Sequence, residues 1–427
     1  MNILLISPSH RDPFSADTSF HLPPLSLAQL AGMTPDDIHV SIIDEQIQPV
    51  DFNTNADLVG ITVKTKTAKR AYEIANTFRH TGTPVVLGGI HPTVSVKEAG
   101  KFADAVVIGE AEPVWMQLLN DCKHGRLDPV YHSAKRPDLE HLPIPDRTLF
   151  QKEKYDTINL IQTTRGCPYS CHFCSVSSIY GRGIRSRPVD DVILEIGTLD
   201  GEDIFFVDDN IIGNQHYSKQ LLTALQSLQK KWFGMASVTV ADNKDILKLL
   251  QKSGCQALFI GFETTVANSL MDIGKPQNTT NNYFDTINKL HDHGICVFGA
   301  FVLGFDRDDE TSFKRLLDFS MMSNIDVAEF SILMPNPGTV LYQKLKQEKR
   351  LLYDNWWLQV EAESVVHDPK LLTKDELHEG WVWTLQQYYK IGPIFNRWIK
   401  GVNRRSLMAN ILAMKVNMGC RKRAYNL

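Results

Sequence analysis

The chain is poor in cysteine. It has seven in 427 residues, an odd number, with three crowded between positions 167 and 174. Such a set makes a poor disulfide framework and suits a thiolate site in a reducing compartment, so no structural disulfide is expected. No window offers the roughly 18 uncharged apolar residues of a spanning helix. The opening MNILLISPSH is too short an apolar run for a secretory signal, and the expected location is cytoplasmic. Acidic residues are missing altogether from 380–427, where Lys390, Arg397, Lys400, Arg404, Arg405, Lys415, Arg421, Lys422 and Arg423 all lie. Because the whole chain carries −4, the preceding residues are strongly acidic. A one-signed end of this kind suits an anionic membrane surface, a nucleic acid, an anionic substrate, or only a solvated helical face. There is no internal repeat, no low-complexity segment and no recognised RNA-binding module, so nucleic acid is not an expected partner.

What is present, 43% hydrophobic and 22% charged residues, is enough for two or three domains with full cores. Short β-branched runs at 2–6, 38–43, 58–63, 84–87 and 105–108 alternate with helical patterns such as KRAYEIANTFRHTG. This reads as a parallel, Rossmann-like sheet domain over 1–130, with its ligand side past the carboxyl ends of the strands. Pro137, Pro143 and Pro145 mark a linker over 131–156. Six further βα units over 157–345 predict a partial (βα)6 barrel, and 346–427 reads as a helical, basic region. The fold class is therefore α/β.

The stretch TTRGCPYSCHFCSV, just past the first barrel strand, carries Cys167, Cys171 and Cys174 in CxxxCxxC spacing. Structural zinc wants four ligands, and only His172 stands nearby as a fourth. A 4Fe-4S cubane held by three thiolates leaves one iron open, and Gly166 and Pro168 favour the irregular loop it needs.

With Phe173 before the last cysteine, this motif resembles that of the radical S-adenosylmethionine (SAM) enzymes. FFVDDNI, LFIGFET, KPQN, FVLGFD and PNPGTVLY downstream, and ADLVGITVKT, VVLGGIHPTV and AVVIGEAE upstream, are spaced as in the subgroup with an N-terminal cobalamin-binding domain. The similarity covers about 340 residues, to Tyr342, and is loose beyond. It implies a 4Fe-4S cluster on the three cysteines whose open iron chelates SAM, reductive cleavage to a 5'-deoxyadenosyl radical, and hydrogen abstraction from an unactivated carbon. In the methylating members cobalamin then supplies a methyl group. The resemblance also implies an external electron donor such as flavodoxin or ferredoxin, and a small-molecule or lipid-like substrate.

On the matching positions, Phe173, Asp208, Asp209, Ser237 and Glu263 are expected to contact SAM. Thr62, Lys64, Thr65, Gly88, Gly89, His91, Gly109 and Glu110 are expected to line the cobalamin site. The DxHxxG motif is absent, so cobalamin is expected to bind without that histidine. His91 is either an axial ligand or a hydrogen-bonded loop histidine. Arg182, Arg185 and Arg187 either hold an anionic substrate or form a solvated loop. Cys122, Cys255 and Cys296 read as core residues, and Cys420 as an exposed thiol acidified by its basic neighbours.

Rival chemistries share the cluster. A methylthiotransferase would need more cysteines in the first domain, which has none before Cys122. A radical SAM cyclase or rearranging enzyme would keep the sheet domain as scaffold. An iron-sulfur regulatory protein would have no use for the strand-end motifs. Trp381, Trp383, Tyr388, Tyr389, Phe395 and Trp398 in the basic end suit either a helix lying on a membrane or a helical cap on the barrel.

Overall fold

The computed structural model describes residues 1–9, 21–360, 364–402 and 404–427. Its first sheet is built from β1 (Asn2–Ser7), β2 (His39–Asp44), β3 (Leu58–Thr62), β4 (Val85–Gly88), β5 (Ala105–Ile108) and β6 (Val130–His132). All are parallel, in the order β2-β1-β3-β4-β5-β6. The near-continuous apolar sequences of β1 and β3 are what such a sheet needs, since both faces are covered. Helix Leu25–Gly32 and helix Glu112–Lys123 pack one face, and helix Ala68–His80 packs the other. The order reverses between β1 and β3, which opens a crevice at the carboxyl ends there. β6 falls across position 130, the expected end of this domain. Three residues show no periodicity, and only the ladder offered by β5 makes them a strand.

The proline-bearing segment that follows is packed rather than free. Asp146 N–H donates to the Ala28 carbonyl (2.9 Å), Leu139 and Phe150 are buried, and a Cβ on Gly32 would come within 2.3 Å of the Ile144 carbonyl oxygen. Arg147 turns inward to the Leu160 carbonyl and to Glu195, a wholly buried carboxylate that Arg187 also holds.

The second sheet consists of β7 (Leu160–Ile161), β10 (Asp203–Phe206), β11 (Lys231–Ala236), β12 (Cys255–Glu263), β13 (Cys296–Leu303) and β14 (Val327–Ile332). They are parallel neighbours in chain order, an open (βα)6 barrel. Its core is aromatic, with Phe206, Trp232, Phe262, Phe301 and Phe330 all fully buried. Between β7 and the first barrel helix, Val189–Gly197, stands an antiparallel hairpin of β8 (Thr164–Cys167) and β9 (Gly183–Ser186) that strand patterning does not reveal.

The C-terminal region caps the barrel. Trp381 Nε1 donates to the Phe330 carbonyl (2.8 Å), and the Tyr388 and Tyr389 hydroxyls donate to those of Ile325 (2.8 Å) and Ala328 (2.6 Å). Cys420 is drawn into this packing. Burial pushes its thiol up to about 11, so the expectation of an exposed, acidified thiol is wrong. Trp357 reaches the first domain and donates to Glu98 (2.9 Å). Among the described residues no helix is long and apolar enough to cross a membrane.

Candidate active site

The three cysteines occupy the loop that leaves β8. Gly166 adopts φ +97°, and a Cβ there would meet the Gly183 carbonyl oxygen at 2.4 Å, so only glycine lets β8 and β9 close beneath the loop. The Thr163–Thr164 turn before it is fixed by Asp208. That carboxylate is fully buried and accepts the backbone N–H of Thr163 (3.1 Å) and both threonine hydroxyls (2.7 and 2.6 Å). Asp208 is thus committed to the chain and turned away from any ligand, a correction to its expected role. Asp209 stays at the loop, 3.3 Å from Gly166 N, with its carboxyl pushed up to about 6 by burial.

All three thiols are free and half-buried. Burial raises each thiol above its usual range, that of Cys174 up to about 12, so a metal must displace the protons for thiolates to form. Among the described residues no three His, Cys, Asp or Glu side chains converge on one metal ion. Three thiols spread over an eight-residue loop suit a cubane with one open iron. His172 is tied to the neighbouring segment: its Nδ1 lies 3.1 Å from the Asp272 carbonyl, and its backbone joins Ile273 and Leu341.

Around the loop stand groups from the barrel strand ends. Gln277 Nε2 lies 3.8 Å from Cys171 Sγ. Glu263 sits at φ +68° where the β12–β13 register shifts, and its carboxylate pairs with the buried Lys275, whose Nζ also donates to the Gly261 carbonyl (2.9 Å). A carboxylate at the end of a core strand demands a partner, and Lys275 is one such partner. Ser237 Oγ is 2.7 Å from Thr239 Oγ1, which touches Tyr169 of the cysteine loop (3.3 Å). Phe173 packs edge-on to Phe305. Lys275, Gln277 and Tyr169 were visible only as parts of motifs, with nothing local to give them roles.

A cavity of about 340 Å³ lies at the carboxyl ends of the first sheet. Thr62, Lys64, Gly88, Gly89, Gly109 and Glu110 line it, as expected of strand-end positions. Gly109, at φ +78°, has nothing within 4 Å of where a Cβ would be, an open cradle that suits close approach of a bulky cofactor. Thr65 is buried beneath the loop and does not line the cavity. Nor does His91: it is wholly buried, 3.1 Å from both the Tyr72 hydroxyl and Glu98, and edge-on to Trp357. The reading of His91 as an axial ligand is therefore corrected, and the described lining residues offer cobalt no imidazole.

The far wall of the cavity belongs to the barrel. Arg165, Ile179 and Tyr180 face it, two residues before the first cysteine and five and six after the last. Arg165 is buried and forms ion pairs with Glu110 and Glu112 (2.5 Å each); Arg185 also pairs with Glu110 (2.5 Å). Arg185 and Arg187, read as candidate anion holders, are instead spent on Glu110 and Glu195.

Comparison with known proteins agrees with this two-part layout. The radical SAM superfamily model matches residues 161–320 and the B12 binding domain model matches 14–119. The chain is 31% identical over 407 residues to the bacteriochlorophyllide d C-12(1)-methyltransferase of Chlorobaculum tepidum, covering 92% of this chain and 88% of that one. It is 27% identical over 366 residues to the hopanoid C-2 methylase of Rhodopseudomonas palustris, covering 81% and 68%. The fold resembles that of the cobalamin-dependent SAM radical enzyme OxsB, with a TM-score of 0.70 at 15% identity over 96% of this chain and 72% of that one. A cubane-compatible trio of thiols, a strand-end cavity facing it, and a relative this similar over nearly its whole length lead to one conclusion: the chain belongs to the cobalamin-dependent radical SAM methyltransferases, whose cofactors are a 4Fe-4S cluster, SAM and cobalamin.

Proposed function

We propose that the enzyme methylates an unactivated carbon of a large, mostly apolar polycyclic substrate of the chlorin or hopanoid kind, in the cytoplasm. One observation carries the reading: a single segment, 165–180, has both ends in the cavity wall and the three cysteines in its middle. When bound, the cluster and SAM supply a 5'-deoxyadenosyl radical and cobalamin supplies the methyl group.

The chain's own work is placement and exclusion. Cys167, Cys171 and Cys174 hold the cluster, and Lys275 places a positive charge near Cys171. Asp209, Ser237 and Phe173 remain the proposed SAM contacts, with Glu263 acting through Lys275. Thr62, Lys64, Gly88, Gly89 and Gly109 receive the cobalamin, while Glu110 serves chiefly to hold Arg165. The apolar packing of Phe173 and Phe305 helps keep water from the radical. The substrate class rests on the relatives, whose names specify a chlorin and a hopanoid. The proposed partners are a flavodoxin- or ferredoxin-type one-electron donor and, through the C-terminal helices, an anionic membrane surface.

Anaerobic incubation with SAM, a reductant and either bacteriochlorophyllide d or a hopanoid tests the reading by mass spectrometry. A product heavier by one methylene, formed alongside both 5'-deoxyadenosine and S-adenosylhomocysteine, is expected with one of the two. A product of unchanged carbon count, with 5'-deoxyadenosine alone, would instead favour cyclisation or rearrangement with the sheet domain as scaffold.

A further inference from the structure

The segment 273–278, past the end of β12, is anchored on two sides. His172 N–H donates to the Ile273 carbonyl (2.8 Å), which ties the segment to the middle of the cysteine loop. Lys275 Nζ donates to the Gly261 carbonyl (2.9 Å), and Asn278 Nδ2 donates to those of Gly261 (3.0 Å) and Phe262 (3.1 Å), which ties it to β12. Gln277 stands among these anchors in the chain, but its side chain serves none of them. Its Nε2 is directed instead at Cys171 Sγ (3.8 Å).

The other half of that amide has nothing to bind. Gln277 Oε1 is shielded from solvent and has no hydrogen-bond partner among the described residues. Buried amide oxygens are nearly always paired, so this one calls for a donor from outside the chain. Its direction follows from the sulfur beside it: a thiolate accepts and never donates, so the N–H side of the amide faces Cys171 and the carbonyl faces away. A methionine would fill similar space and leave no buried acceptor unpaired. The glutamine is a poor choice for packing and a good one for joining two ligands.

We propose that Gln277 links the cluster to its cosubstrate: its N–H holds the Cys171 thiolate, and its carbonyl accepts a hydrogen bond from the amino group of SAM. This rests on the assignment of the cluster to Cys167, Cys171 and Cys174, whose open iron takes that amino group. Hydrogen bonds to the sulfurs set a cluster's potential, and one to Cys171 favours the reduced, more negative state. Gln277 is thus a positioning residue toward the cluster, acting through Cys171, and a direct contact toward SAM.

The test is Gln277→Met in the full chain, reconstituted anaerobically with iron and sulfide, with Thr279→Ala as an exposed control on the same loop. Four quantities are read: iron content, the midpoint potential without SAM by EPR-monitored titration, SAM affinity by equilibrium dialysis, and Tm without SAM. Gln277→Met is expected to keep the wild-type iron, to shift the potential to more negative values and to bind SAM about fivefold more weakly or worse. Its Tm without SAM should not fall, because the acceptor it removes is satisfied only when SAM is bound. Thr279→Ala should match wild type throughout. An unchanged potential or an unchanged SAM affinity in Gln277→Met would overturn the link. So would a loss of iron or a lowered Tm, which would make Gln277 a structural brace of the cysteine loop, or equal changes in Thr279→Ala. Wild type without its full complement of iron would contradict the cluster assignment itself.

Discussion

Replacing any one of Cys167, Cys171 or Cys174 by alanine reduces 5'-deoxyadenosine formation to the level without enzyme. We expect a loss of at least about a thousandfold, or roughly 4 kcal/mol of barrier. The effect is all-or-none because the three thiols come from one loop and no fourth thiol stands within it. Cys255 and Cys296 are buried in β12 and β13 on the barrel strands. Iron content after anaerobic reconstitution separates loss of the cluster from misfolding. Cys255→Ala provides the contrast: it removes a small buried side chain, costs about 1 kcal/mol of stability and keeps the wild-type iron content. Normal iron and normal cleavage in a Cys171→Ala protein would show that the ligand set is wrong.

Arg165→Met is the second large effect, on stability and on coupling between the two halves. The substitution leaves Glu112 buried with no cation and Glu110 with Arg185 alone. An uncompensated buried carboxylate costs about 3 kcal/mol or more, which for domains of this size is a fall in Tm of roughly 6–12 °C. Arg165 lies two residues before Cys167 and on the cavity wall, so loosening it lets the cluster loop and the strand-end loops shift against each other. Methyl transfer should therefore fall at least about tenfold while 5'-deoxyadenosine formation falls less, because a misplacement of about an ångström is felt where two reactants must meet. Arg165→Lys keeps the charge but loses the planar fork that reaches both carboxylates, and should lie between the two. An unchanged Tm and an unchanged ratio of methylated product to 5'-deoxyadenosine would remove Arg165 from this role.

What could be read in advance follows from how local each signal is. The long strands announce themselves by apolar runs, and the cysteine loop by spacing, because each is written in fewer than ten consecutive residues. β6 and the β8–β9 hairpin were missed, since their identity lies in a partner strand rather than in their own patterning. The same holds for side chains. Glu110 was read as a cofactor contact because it follows a strand, and nothing near it in sequence reveals that Arg165 and Arg185 lie against it. Asp208 and Asp209 look equivalent in the chain, yet one is consumed by the Thr163–Thr164 turn and the other stays at the loop. His91 and Cys420 fail for a common reason: their burial comes from Trp357 and Tyr389, on helices distant from them in sequence or packed across from them. The C-terminal aromatics were left between cap and membrane helix, and the structure divides them: Trp381, Tyr388 and Tyr389 cap the barrel, while Phe395 faces solvent.

The central claim, that one chain holds both cofactors across a shared wall, is tested most directly by metal analysis. The protein is reconstituted anaerobically with iron, sulfide and hydroxocobalamin, desalted, and measured for iron and cobalt. The account predicts about four irons and about one cobalt per chain. Four irons with no cobalt retained would contradict it, leaving the strand-end cavity without the cofactor assigned to it.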